Sequence, residues 1–600
     1  MKQTDLLDFV MDDHIYASHP SPNWARRNWI SLNGEWSLAS GGKSGTVIVP
    51  FSIGTPASRT PYRDRGLFVY SRTFDIPVHS PKKSYLLHIG ASDYQTTVVL
   101  NGHVLGSHTG GYSSFSFEIG EWLQAADNRL ELRVRDSRSM EQVRGKQTFL
   151  SRPFYVWYTG TTGIWQPVWI EETGPRYLER ASARADFTQK MIFFSATSSL
   201  ASGKVHNTGI TQTSEGAQHL TIDMISSDRT TFCVEALPTR SDDLKETTFR
   251  VEIPFDAIKL DFWSPERPFL YKLRFTLYLG TEKTDEVESY AGFRSLDWSG
   301  KKFRINGKPQ YLRMVLVQGY YPEGGYTPLS YQTMAADIRS IKDMGYNGAR
   351  LHQKIESPYF HYLCDRFGLL TSYEMPSFYR GSQKAFHAYE SELREIVARD
   401  SMHPSAVMWM LFNETWGIWG LYGRKSKTRR FVLDMVNLVK KLDPERPVID
   451  NSGWEHLKTD ILDFHHYLQT SALAREAYAD IARGNNKRLH GFSILRVILF
   501  YLLDKVNTET RAVFLDQHVV AEDAPFLLSE YGGFGWYKNS EGASVVDSIE
   551  RYTRDCVESG IFCGYCLTQL YDVEGEVNGL LTADRNPKVD PQQIKAINKI

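Results

Sequence analysis

Cysteine is scarce in this sequence, at five in 600 residues, and so odd and sparse a count excludes a disulfide framework. Cys563 and Cys566 do form a C-x-x-C. They lie inside an apolar run, Ile561 to Leu570, and open no helix, so they read as small buried hydrophobes rather than a redox or metal pair. An excess of one charge is missing too: 69 Lys+Arg oppose 70 Asp+Glu, for a formal net charge of −1. That balance gives no electrostatic case for nucleic acid or an anionic membrane as a partner. No apolar run is long enough to span a bilayer. The longest, Phe492 to Leu503, contains Arg496 and reads as a buried or interface helix. Met1 to Asp13 has acids early and no apolar h-region, so a signal peptide is not expected and a cytoplasmic location is. P-loop, His-Glu-x-x-His and Gly-x-Ser-x-Gly motifs are all absent, and Gly532-Gly533-Phe534-Gly535 lacks dinucleotide-loop spacing. Neither a cofactor nor a metal is expected.

What the chain does have is length and aromatics. Six hundred residues call for several domains, and 14 Trp, 32 Tyr and 32 Phe suit sandwich cores or sugar-stacking surfaces. Residues 1–175 show short alternating runs (Leu67 to Asp75, Tyr85 to Gly90, Arg129 to Asp136, Pro167 to Glu171) cut by turns such as Asn33-Gly34 and Asn101-Gly102. Residues 176–295 continue in that style, which predicts two all-β sandwiches. From residue 296 to 600 apolar strands alternate with segments of helical period, such as Met334, Ile338 and Ile341. Eight candidate strands, from Gln310 to Val317 through Gly564 to Leu570, predict a C-terminal (β/α)8 barrel.

A barrel carries its chemistry at the C-terminal ends of its strands. Three acids stand there: Glu374 in Ser372-Tyr373-Glu374, Glu414 after Phe412-Asn413, and Glu530 in Leu528-Ser529-Glu530. One carboxylate of this kind is most simply a salt-bridged cap. Three on one face are costly to desolvate unless paired or used. Two opposed carboxylates are what glycoside hydrolysis needs, one to protonate the leaving oxygen and one to attack the anomeric carbon or activate water. Arg350, His352, His465, Tyr467, Trp416 and Trp536 also fall near predicted strand ends. Arg and Tyr can hold a carboxylate ionised, and Trp can floor a sugar.

With those residues in place the chain resembles glycoside hydrolase family 2, the β-galactosidase, β-glucuronidase and β-mannosidase group. The resemblance rests on Leu32-Asn33-Gly34-Glu35-Trp36, Tyr70-Ser71-Arg72-Thr73-Phe74, Gly163-Ile164-Trp165-Gln166-Pro167, Phe262-Trp263-Ser264-Pro265, Gly292-Phe293-Arg294, His403-Pro404-Ser405 before Asn413-Glu414, and Arg585-Asn586-Pro587-Lys588. It implies a jelly-roll-like sugar-binding sandwich, an immunoglobulin-like sandwich and a catalytic barrel. It further implies a retaining exo-β-glycosidase with Glu414 as general acid/base and Glu530 as nucleophile. Asn413 would bind the hydroxyl beside the anomeric carbon, and Arg350 and Tyr467 would position Glu530. His352, His465, Glu374, Trp416 and Trp536 are implied pocket residues. The mechanism calls for a raised pKa at Glu414 and a low one at Glu530. A carbohydrate is the implied partner, and self-association into a homo-oligomer is common in the family.

Two positions depart from the family pattern. Relatives usually carry Asp where Met314-Val315-Leu316-Val317-Gln318-Gly319 places Val317, and many carry Trp where Thr568 stands. Both changes touch the glycone pocket. Glucuronidases use an Asn-x-Lys pair after strand eight; Glu576-Val577-Asn578 stands at the matching stretch, and Glu576 would repel a sugar carboxylate. A galactosidase-like glycone is therefore expected ahead of a β-glucuronide, β-mannoside, galactofuranoside or arabinoside. A catalytically inactive carbohydrate-binding relative is the alternative from a different class.

Overall fold

Alternation becomes antiparallel ladders through the first half of the chain. The computed structural model describes residues 18–61, 66–76, 83–200, 218–226, 229–239, 246–423, 426–467, 470–482, 487–488, 513–515, 523–536 and 544–600. The N-terminal stretch Met1 to Asp13 and the apolar stretch Phe492 to Leu503 lie outside these residues. Strand Asn128–Asp136 shows the rule: Leu130, Leu132 and Val134 are buried, while Arg129, Arg133 and Arg135 on the other face are exposed. Each such apolar side chain contributes about 1.5–3 kcal/mol by leaving water. A six-stranded and a four-stranded antiparallel sheet close over this core, joined by Trp36, Phe68, Tyr70 and Leu87. Two four-stranded antiparallel sheets form the second sandwich over Leu178, Phe194, Leu273, Phe275 and Val287. Expected and observed strands of the first sandwich differ by one or two residues at their ends.

The barrel strands are β1 (Leu312–Val317), β2 (Gly348–Leu351), β3 (Leu370–Glu374), β4 (Ala406–Met410), β5 (Val448–Ile449), β6 (Leu462–His466), β7 (Phe526–Gly532) and β8 (Phe562–Thr568). They form one parallel sheet in the order β5-β4-β3-β2-β1-β8-β7-β6, an almost closed ring whose seam lies between β5 and β6. β4 and β5 end earlier than the sequence suggests, at Met410 and Ile449. The chain leaves the ladder there and keeps one parallel bridge, Asn413 to Ser452. Five helices around the ring start on serine: Ser330, Ser357, Ser382, Ser426 and Ser544 each accept a hydrogen bond from a backbone N–H in the first turn. Such a cap contributes about 1 kcal/mol. Cys563 and Cys566 are buried on β8, and burial pushes the Cys563 thiol up to about 12.

The first sandwich is anchored on the barrel mouth. The backbone N–H groups of Arg144 and Gly145 both donate to the Ser377 carbonyl after β3, at 3.0 Å, and Tyr379 N–H donates to the Met140 carbonyl. Gly145 has φ +58, and a Cβ there would meet the Gln353 carbonyl at 2.1 Å, so this close approach requires glycine. The second sandwich grips the opposite end of β4 through Arg294, which donates to the carbonyls of Pro404 and Ala406.

Candidate active site

Arg350, at the C-terminal end of β2, organises the barrel mouth and is itself fully buried. Its guanidinium donates to both Glu374 oxygens (2.8 and 3.1 Å), to Glu530 Oε1 (3.0 Å), to Asn413 Oδ1 (2.9 Å) and to the Ser529 carbonyl. The planar fork thus ties β2, β3, β7 and the segment after β4 together at one point. Glu374 ends β3 with no exposure. Burial alone would push its carboxyl up, but the Arg350 and His352 charges outweigh that and hold it at about 2. Glu374 is therefore a buried counter-ion, with His352 Nδ1 at 2.9 Å.

Glu530 lies within β7 and keeps 8% of its side chain exposed. Besides Arg350, it accepts from the Tyr467 hydroxyl at 2.5 Å, and His465 Nε2 stands 3.4 Å away. Tyr467 also meets Thr568 Oγ1 at 3.2 Å, so the residue at the strand-eight departure contacts the Tyr467 ring hydroxyl. Val317, at the other departure, is packed into the apolar core.

Glu414 follows β4 by four residues, and its backbone is unusual. Glu414 and Thr415 both adopt left-handed φ values, +51 and +62, which is costly for residues with a Cβ. Neighbouring groups hold the turn in place. Glu414 N–H donates to the Ser452 carbonyl at 2.9 Å, Thr415 N–H donates to Asn451 Oδ1 at 2.9 Å, and the Thr415 hydroxyl donates to Glu455. The carboxylate that results accepts from His465 Nδ1 at 2.6 Å and from Trp416 Nε1 at 3.1 Å. Burial pushes Glu414 up, yet the His465 hydrogen bond and charge, with smaller contributions from Trp416 and Lys146, bring it down to about 2. The sequence expectation of a raised Glu414 pKa is thus corrected. His465 moves the opposite way: burial lowers it, but the Glu530 and Glu414 charges raise it overall.

One oxygen of Glu414, a ring nitrogen of His465 and one oxygen of Glu530 all lie within 4.8 Å of one another. The same donors could in principle surround a cation, but they already bond to one another and to Arg350, Tyr467 and Trp416.

Of the residues singled out from sequence, Asn413, Glu414, Arg350, His352, Glu374, His465, Tyr467 and Glu530 are brought together. Trp416 and Trp536 stand at the rim, packed against Val156, Trp157 and Tyr379. Sequence reasoning missed Lys146, Trp157, Ser452 and Gly453. Lys146 comes from the first sandwich, makes no ion pair or side-chain hydrogen bond among the described residues, and its charge is felt at both Glu414 and His352. No strand-end rule could have found it, because it reaches the site from another domain. Glu576, expected to face a sugar carboxylate, is buried instead and accepts from the Tyr158 hydroxyl.

Fold and site together define a sandwich–sandwich–barrel protein with a paired-carboxylate centre at the barrel mouth. Residues 297–533 match the family model for the glycosyl hydrolases family 2 TIM barrel domain, residues 191–294 that for glycosyl hydrolases family 2, and residues 53–162 that for its galactose-binding domain-like unit. The chain belongs to glycoside hydrolase family 2. It is 24% identical over 509 residues to a β-galactosidase of Bacteroides ovatus, covering 76% of this chain and 55% of that protein. It spans about half the length of the curated relatives it matches. A β-galacturonidase of Eisenbergiella tayi bound to galacturonate has a similar fold (TM-score 0.70, 18% identity, 98% of this chain and 99% of that one). So does a β-glucuronidase of Bifidobacterium dentium complexed with coumarin-3-O-glucuronide (TM-score 0.71, 18% identity, 96% and 98%). Among the described residues no helix is long and apolar enough to cross a membrane.

Proposed function

We propose that the chain is a retaining, exo-acting β-glycoside hydrolase in which Glu530 is the nucleophile and Glu414 the acid/base. The observation that carries this reading is the closeness of the two carboxylates, with oxygens no more than 4.8 Å apart. Retaining enzymes need about 5–5.5 Å between the carboxyl groups, whereas inverting ones need room for a water between them. Glu530 attacks the anomeric carbon, and Arg350 and Tyr467 hold it in place. Glu414 protonates the departing oxygen, then deprotonates the incoming water. His465 fits this cycle. The Glu530 charge is the largest influence raising its pKa, so the His465–Glu414 pair keeps a proton while Glu530 is anionic. Once Glu530 is esterified by the sugar that charge is gone, the pair loses its hold on the proton, and Glu414 is left as a base.

A galactosidase-like glycone is the finer reading, supported by the B. ovatus relative. Lys146 favours a uronide as the second reading. It is a half-buried ammonium near the acid/base that makes no ion pair among the described residues, and Glu576 is turned away under Tyr158.

The test is hydrolysis of a p-nitrophenyl glycoside panel by wild type, Glu530→Ala and Glu414→Ala, with the anomer of the first product read by NMR. The panel spans β-galactoside, β-galacturonide, β-glucuronide, β-mannoside and both arabinoside ring forms. A β-product, abolished in Glu530→Ala and partly restored by azide in Glu414→Ala, supports the mechanism. A product of inverted anomeric configuration would overturn it. Silence across the panel together with retained oligosaccharide binding would favour the inactive relative.

A further inference from the structure

The ring of strands is open between β5 and β6, and side chains close the seam. Asp450 and Ser452 follow β5. Asp463 belongs to β6, two residues before His465 and so on the same face of the strand. Ser452 Oγ donates to Asp463 Oδ2 at 2.5 Å. His456, from the segment between the two strands, bonds through Nδ1 to Asp450 Oδ1 at 2.7 Å and through Nε2 to the Asp463 carbonyl at 3.0 Å. From β7 the Ser529 hydroxyl also donates to Asp463 Oδ2. The β6–β7 register slips between Phe464 and His465, which leaves Ser529 as an extra residue beside Glu530. The side chains of Asp450, Ser452, His456, Asp463, His465 and Ser529 are all buried.

Counting hydrogens assigns the direction of each bond. A serine hydroxyl has one proton and two lone pairs. Ser452 directs its proton at Asp463, so toward His465 Nε2, 3.3 Å away, it can only accept. Arg350 Nη1 stands 3.2 Å from the same nitrogen. Its two hydrogens already go to the Ser529 carbonyl and to Glu530 Oε1, each at 3.0 Å. Nε2 is therefore the ring nitrogen that carries a fixed hydrogen. The other nitrogen, Nδ1, faces Glu414 Oε1 at 2.6 Å, and the one exchangeable proton of the pair lies between them. That is where a leaving oxygen needs it.

We propose that Asp463 is a positioning residue for proton transfer: through Ser452 it fixes hydrogen on His465 Nε2, so that Nδ1 is the atom that shares a proton with Glu414. Loss of the shared proton leaves two poor arrangements. Either a bare Nδ1 faces the Glu414 carboxylate, or a bare Nε2 faces the Ser452 oxygen. The pair therefore holds its proton. Around the ring the charged groups are Glu414, Glu530 and Arg350; Asp463 acts through the serine. Burial lowers the His456 pKa, but Asp450 and then Asp463 raise it to about 9. Its Nε2 stands 3.5 Å from Asp463 Oδ1, so the carboxylate that both serines use lies beside a positive charge. The inference rests on the acid/base reading of Glu414 for its effect on rate, and not for the hydrogen on the ring.

The test uses the full chain and the variants Asp463→Asn, Ser452→Ala and Ser452→Thr. In Asp463→Asn the amide donates to Ser452, which frees the serine to donate to Nε2; in Ser452→Ala the acceptor is gone. Both variants make the deprotonated pair easier to reach. The basic limb of kcat/KM is expected to move to lower pH by about half a unit or more in each, and to stay in place in Ser452→Thr, which keeps the hydroxyl. A slower enzyme with an unmoved limb in either folded variant marks a merely structural network and overturns the proposal, as does an equal displacement in Ser452→Thr. Ser452→Ala decides the matter if Asp463→Asn does not fold. Imidazole 15N NMR of His465, assigned by the signal lost in His465→Gln, reads the same hydrogen without turnover. Above the titration, Nε2 is expected to keep its hydrogen in the wild type and Nδ1 to keep it in the two variants. One tautomer throughout overturns the proposal even in an active enzyme. The expected switch without hydrolysis of any glycoside upholds the assignment and sinks the glycosidase reading alone.

Discussion

His465 touches both reacting carboxylates, and its removal separates their titrations. With glutamine at 465, Glu414 loses the bond and charge that do most to hold it near 2, so its pKa rises, opposed only by the smaller pull of Trp416 and Lys146. The basic limb of the kcat/KM profile then reports Glu414 by itself rather than the His465 pair. His465→Gln is expected to move that limb to lower pH by about one unit or more, with a tenfold or larger fall in kcat; a pH–rate profile on one p-nitrophenyl substrate checks it. A merely structural histidine would lower the rate without moving the limb. At Lys146 the expected outcome is a split between substrates. Lys146→Met lowers kcat/KM for a uronide about tenfold or more and leaves the matching neutral glycoside unchanged, if the uronide reading holds. Equal effects on both would remove Lys146 from glycone choice.

At the scale of elements, the loops after β4 and β5 act as a pair. The left-handed turn at Glu414 and Thr415 is tied to Asn451, Ser452 and Glu455, and Gly453 sits under the His465 ring. Gly453 has φ +90, and a Cβ would come within 2.5 Å of that ring. Gly453→Ala is therefore expected to cost about 1 kcal/mol or more in stability and to push His465 off Glu414. Its pH profile should then resemble that of His465→Gln, and a variant with the wild-type limb would show that the ring does not depend on this contact.

For the whole molecule, the joint between the first sandwich and the barrel contains its own titration. Glu392, on helix Gln383–Asp400, is buried against Gly110 and Tyr112 of the sandwich. Burial raises its pKa to about 8; the backbone N–H of Tyr112 opposes this, and the Asp93 and Glu395 charges add to it. Asp93 is also raised, by burial and then by Asp136, against the pull of Arg144. An unfolded chain ionises Glu392 near its ordinary value while the folded one keeps the proton until about pH 8. Stability is thus lost as pH rises from about 4.5 to about 8, and then levels. Glu392→Gln is expected to flatten this slope, gaining about 1 kcal/mol or more over wild type at pH 8.5 relative to pH 5 in denaturant melts. An unchanged gap between the two pH values would place the proton elsewhere.

Much of this was legible in the chain itself. Period-two alternation around Leu130, Leu132 and Val134 and the helical spacing of Met334, Ile338 and Ile341 are local signals, because burial of one face repeats along a single element. They were enough for two sandwiches, a barrel and three acids at its mouth. Family motifs such as His403-Pro404-Ser405 before Asn413-Glu414 added the implied roles. Other properties depend on what comes near, and no local pattern encodes that. The depressed Glu414 pKa needed His465 from another strand, where a raised value was expected from the chemistry alone. Glu374 proved a buried counter-ion because Arg350 folds onto it. Lys146, Tyr155 and Trp157 come to the site on the first sandwich, where Gly145 allows its close approach to the Gln353 backbone. Charge, exposure and proximity are pairwise quantities, so they were decided by the tertiary structure, whereas the elements and the reactive residue types were already written in the sequence.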